Sequence, residues 1–107
     1  MPQYMLQFAY TAQTWAALSK NPVDRSEAIR GLAEKLKARL VGLYYTMGEY
    51  DGVVLVEAPD DVTALALVIG AIAPGHLKAT RTARLYTPAE AMEAMRKASG
   101  LGYQAPR

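Results

Sequence analysis

Two β-rich segments, Val41-Gly-Leu-Tyr-Tyr-Thr46 and Val53-Val-Leu-Val-Glu-Ala58, flank the connector Met47-Gly-Glu-Tyr-Asp-Gly52, and this block constrains the chain more than any other. Valine, leucine and tyrosine suit a pleated, half-buried surface, while glycine and aspartate turn the chain. The block predicts a β-hairpin with a loop longer than two residues. A strand and helices precede it, and helix, strand and helix follow. The hairpin is therefore the centre of a near-symmetric unit.

The first strand runs over residues 4–10, with Tyr4, Leu6, Phe8 and Tyr10 on one face and Met5, Gln7 and Ala9 on the other. Thr11 caps a short helix from residue 12 to about 19 that turns Trp15 and Leu18 inward, and Asn21-Pro22 ends it. Asp24 and Glu27 have capping-box spacing and open a second helix, whose stripe of Ile29, Leu32, Ala33, Leu36 and Leu40 faces the core. Arg30, Glu34, Lys35, Lys37 and Arg39 mix both signs, which is the pattern of a solvated face rather than a basic patch.

After the hairpin, Asp60 caps a helix whose body, residues 63–73, has almost no polar side. Such a helix must be covered from more than one direction, by a second subunit or by a flanking helix. Pro74-Gly75 stops it. The last strand covers about residues 76–86: Leu77, Ala79, Ala83 and Leu85 share one parity, and Thr80, Thr82 and Arg84 share the other with His76, Lys78 and Tyr86. Arg81 falls on the apolar side, which points to a bulge or a shorter strand. Thr87-Pro-Ala-Glu90 then combines a cap, a proline at the first helical position and a capping-box glutamate. The final helix runs to about residue 98 with Met92 and Met95 inward.

This order predicts an α+β fold, the ferredoxin-like βαββαβ(α) arrangement, with a four-stranded antiparallel sheet and the helices on one face. Residues 1–100 read as a single domain and 101–107 as a mobile C-terminal tail. With 51% hydrophobic and 21% charged residues the chain is too apolar for disorder, and richer in apolar material than a small monomer easily hides. A homo-oligomer, most simply a homodimer, is the expectation. A net charge of +2 gives no footprint for nucleic acid. The absence of cysteine excludes disulfides, thiolate catalysis and cysteine-based metal sites. The longest apolar run, residues 64–73, is about half of a bilayer span, and the N-terminus has no leader pattern, so no membrane partner and a cytoplasmic location are expected.

The hairpin and its flanks resemble the GYD domain family, small bacterial and archaeal proteins named for a Gly-x-Tyr-Asp signature. Here the signature is Gly48-Glu49-Tyr50-Asp51, preceded by Thr46-Met47 and followed by Val53-Val-Leu-Val-Glu57-Ala58-Pro59-Asp60-Asp61. The likeness extends to Tyr10-Thr11, to Pro22 and Arg25, and to Thr80 and Arg84, over about residues 3 to 95. The chain departs from the family pattern at Thr14-Trp15, where relatives often carry a glycine, and in its lone His76. The resemblance implies a ferredoxin-like fold of the dimeric α/β-barrel type and no established activity.

The candidate site residues are Tyr50, Asp51, Glu57, His76 and Arg84. Asp51 either accepts backbone hydrogen bonds and fixes the turn, with Tyr50 packed over the hairpin end, or serves as a base or ligand acceptor beside the Tyr50 hydroxyl. If the helices cover one face, the opposite face carries Gln7, Tyr44 or Tyr45, Glu57 and Lys78, together with Thr80, Thr82 and Arg84. Glu57 and Arg84 then pair across strands or meet a ligand between two such sheets. His76 is either an exposed residue at a strand entrance or an acid-base group. No cofactor motif is present, and a metal site from His76, Asp51 and Glu49 has no spacing signature. The primary reading is a homo-oligomeric domain that binds a small organic molecule or serves a structural or regulatory role. The alternative is a cofactor-independent enzyme, monooxygenase-like or isomerase-like, using Tyr50, Asp51, His76 and Arg84 in an inter-sheet cavity.

Overall fold

The structure is a computed structural model describing residues 1–106; Arg107, the end of the expected tail, lies outside the described residues. In chain order it contains β1 (Gln3–Tyr10), α1 (Ala12–Lys20), α2 (Ser26–Lys35), β2 (Arg39–Tyr45), β3 (Gly52–Glu57), α3 (Asp61–Ile72), β4 (Leu77–Leu85) and α4 (Pro88–Ser99). The four strands form one sheet in the order β2-β3-β1-β4, antiparallel throughout. The ferredoxin-like arrangement and the hairpin at its centre are as the sequence predicts. Among the described residues, no helix is long and apolar enough to cross a membrane.

The core lies between the sheet and the α2/α3 layer. Tyr4, Phe8, Val54 and Val56 are buried on the sheet side and meet Ala33 of α2 and Ala64 and Leu67 of α3. Cross-strand partners share a face, so the register decides which side each β4 residue takes. Thr80, Thr82 and Arg84 pair with Phe8, Leu6 and Tyr4, which puts them on the helix side. This corrects the expectation that they share the open face with Glu57. The open face instead carries Met5, Leu55 and Ala83, aligned across three strands, with Gln7, Glu57 and Arg81 among them. Tyr44 belongs there as the partner of Val53, whereas the Tyr45 hydroxyl meets the Tyr10 hydroxyl at 3.1 Å. Alternation alone turns the apolar set of β4 toward the helices, but the pairing with β1 puts Ala83 and Leu85 on the open face with Arg81, and only Leu77, beyond the register shift, packs on the core.

The second helix is also shorter than its apolar stripe suggests: α2 ends at Lys35, and Leu40 belongs to β2 opposite Val56. Lys37 adopts a left-handed φ of 57°. Its amide donates to Glu34 O at 3.0 Å and the Ala38 amide to Ala33 O at 2.9 Å, the paired bonds of a Schellman terminus. Glycine ordinarily marks such an end, and here lysine occupies it. At the other end, the Asp24 carboxylate accepts from Ser26 N at 2.9 Å, and Glu27 binds Arg30 at 2.8 Å rather than closing a capping box.

Two helices leave apolar surface uncovered. Around α3, Ala64 and Leu67 are buried, whereas Val62, Leu65, Ile69 and Ile72 remain exposed along one stripe. α4 keeps its full capping box at Thr87 and Glu90 but buries no residue, and Met92 and Met95 are 49% and 64% exposed, not inward. The molecule is elongated, with a longest extent of 58 Å and a radius of gyration of 17.3 Å against about 13 Å for a compact chain of this length. Leaving β4 at the edge of the sheet, α4 has no layer of its own chain to pack upon.

Candidate functional site

The signature loop is built as a staple. Gly48 has a φ of 128°, a conformation open to glycine and costly for other residues. Thr46 N donates to Asp51 O at 2.8 Å, Thr46 Oγ1 donates to Tyr50 O at 2.8 Å, and Asp51 N donates to Phe8 O at 2.8 Å. The Asp51 carboxylate reaches further: Oδ2 accepts from Tyr10 N at 2.8 Å and from Trp15 Nε1 at 3.0 Å. Register between β1 and β4 shifts at Ala9/Tyr10, and there the Tyr10 amide turns to this carboxylate. Asp51 thus ties the hairpin to the end of β1 and to α1. Gly52 is pressed on Phe8, and a Cβ there would overlap the ring.

Beneath α2 and α3 the helix layer stands off the sheet and leaves a crevice enclosing about 70 Å³. Ile29 and Leu32 of α2 and Leu67, Val68 and Ala71 of α3 form its roof. Leu6, Phe8 and Val54 form its floor, and Thr80 and Thr82 its β4 wall. Tyr10, Arg25 and His76 gather at one end. The Tyr10 ring is 5.1 Å from Trp15 and 6.2 Å from His76, centroid to centroid. Burial, then the hydrogen bond with Tyr45, pushes the Tyr10 hydroxyl above the ordinary tyrosine range. Burial, then the Arg25 charge, lowers His76 below the usual histidine value. At neutral pH both are uncharged, and Arg25 is the one formal charge in the lining.

Sequence candidates divide between the two ends of the sheet. Asp51 and His76 flank Tyr10, and the Thr11 amide donates to His76 O at 3.1 Å. Tyr50 is half-buried in the loop beside Asp51. Arg84 lies roughly 27 Å from His76 along β4 at about 3.4 Å per residue; it faces Glu90 at 3.7 Å and stacks 4.4 Å from the Tyr86 ring. Glu57 is on the other face and accepts from Arg39 Nε at 2.7 Å, a bond that holds its carboxyl below the ordinary range. Among the described residues no cluster of three metal-ligating side chains comes together. Sequence reasoning missed Arg25, Tyr10, Thr80 and Thr82 as crevice residues. Arg25 stands out only as a match to the family pattern, and nothing in its neighbourhood indicates that it meets Tyr10.

The profile of the GYD domain matches residues 4–95. The chain belongs to the GYD domain family. Solved structures similar to this GYD domain include TTHA0845 from Thermus thermophilus, at 18% identity over 81% of this chain and 95% of that one, with a TM-score of 0.53. FFRP-DM1 matches at 20% identity over 80% of this chain and 100% of its own, with a TM-score of 0.52. MtbAldR matches at 15% identity over 80% of this chain, with a TM-score of 0.54, and the match spans 53% of its length. At these identities the likeness establishes the fold, ferredoxin-like and of the dimeric α/β-barrel type. No curated protein matches the GYD domain sequence.

Proposed function

We propose that this GYD domain is a self-associating protein that binds a small organic molecule in the crevice under α2 and α3 and carries out no chemistry of its own. The observation that carries the reading is the crevice: apolar walls from both layers, with polar groups gathered at one end, is the construction of a ligand pocket. A non-catalytic role is supported by the dispersal of the ionisable candidates and by the Asp51 carboxylate, which is already engaged by two donors. Self-association is supported by the apolar surface the chain leaves outside, on the open sheet face around Met5 and Leu55 and along α3.

Native mass spectrometry of the purified chain tests both parts. An oligomer carrying a stoichiometric small-molecule adduct is expected, with the adduct lost in Ala71→Trp, which fills the crevice while keeping α3 helical. A monomer overturns self-association. An adduct retained by Ala71→Trp places the ligand elsewhere and overturns the assignment of the site.

A further inference from the structure

We propose that the crevice ligand is a small amphipathic carboxylate, its apolar chain lying between the sheet and α2/α3 and its head group held by Arg25. The inference rests on reading the crevice as a binding site and adds the ligand's chemical class. Arg25 lines the crevice and immediately precedes α2, yet no carboxylate lies within salt-bridge distance of it among the described residues. The nearest acid in sequence, Asp24, is turned to the Ser26 amide. Arg25 is half-buried, and every other lining residue is neutral at physiological pH. Its guanidinium meets the Tyr10 hydroxyl, a neutral partner, and has donors left for an anion that brings its own apolar body into the crevice.

The charge count selects the head group. One guanidinium neutralises one negative charge, and its planar fork matches a carboxylate through two parallel hydrogen bonds. A phosphate monoester would leave a second charge in an apolar setting. Thr80 and Thr82 are the further polar side chains of the β4 wall. The enclosed volume of about 70 Å³ is under half of the ~150 Å³ that houses a benzene ring, so the buried part is a short chain rather than a ring system.

Trp15, the one tryptophan of the chain, touches Tyr10 at the crevice end and reports occupancy by its fluorescence. Butanoate and butanol, equal in chain length and short enough for the enclosed volume, are titrated into the wild-type chain and into Arg25→Met and Arg25→Lys. Arg25 caps α2 without a side-chain hydrogen bond, so these variants keep the fold. Butanoate is expected to bind about ten-fold or more tighter than butanol, to fall to the alcohol's affinity in Arg25→Met, and to be restored only in part in Arg25→Lys, whose point charge lacks the planar fork. Equal binding of acid and alcohol, both blocked by Ala71→Trp, overturns the carboxylate assignment and leaves the crevice as an apolar site. Binding of neither overturns the crevice reading as well.

Discussion

Asp51→Ala removes the acceptor that joins three elements, and its cost can be worked from the contacts. The Tyr10 amide belongs to a residue 3% exposed, so losing its partner leaves a buried donor unsatisfied, at about 1–3 kcal/mol. The Trp15 indole N–H, on a residue 38% exposed, turns to water and adds at most about 1 kcal/mol. The total of about 1–4 kcal/mol lowers the melting temperature by roughly 5–20 °C in a domain of this size. Asp51→Asn retains one carbonyl oxygen and is expected to lose about half as much or less. Circular dichroism follows the global transition, and the emission of Trp15 reads its own hydrogen bond. If Asp51→Ala unfolds within about 0.5 kcal/mol of wild type but loses ligand or turnover, Asp51 is a site residue and the staple argument fails.

Lys37→Gly relieves the left-handed backbone at the end of α2 and is expected to stabilise the fold by about 0.5–1 kcal/mol in urea titrations; a loss of stability refutes the Schellman terminus. Gly52→Ala drives a methyl group into the Phe8 ring, so a destabilisation of about 1–3 kcal/mol is expected, and neutral behaviour shows that Phe8 is free to move. His76 is harder to protonate folded than unfolded, so the unfolded chain takes up the proton first as pH falls. The stability it preserves above pH about 6.5 is lost as pH drops through its lower folded value, and His76→Gln should flatten the stability profile just below about pH 6.5. The carboxylates of Asp24, Asp60, Glu57 and Glu90, held below their ordinary range by hydrogen bonds, act only at lower pH; an unchanged profile in His76→Gln therefore rules out His76 as the source.

The amino-acid sequence by itself determined the elements and their order. Alternation in residues 4–10, the hairpin with its glycine-bearing loop, and the caps at Asp60 and Thr87 all act within a few residues, where pattern and backbone chemistry suffice. The family is legible for the same reason, because its signature is one contiguous loop. Tertiary structure decided which face each residue meets and with whom. Asp51 finds the Tyr10 amide 41 residues away, and Thr80, Thr82 and Arg84 reach the helix side only because β4 pairs with β1 in one register out of two parities. Lysine at position 37 ends α2 because Ala33 and Ala38 are buried together and the chain must turn there into β2. The crevice and its lone cation belong to the same class of fact. Arg25, Tyr10 and His76 are far apart in sequence, and their meeting depends on how far two helices stand from a sheet, a distance set by the sum of packed side chains rather than by any local pattern.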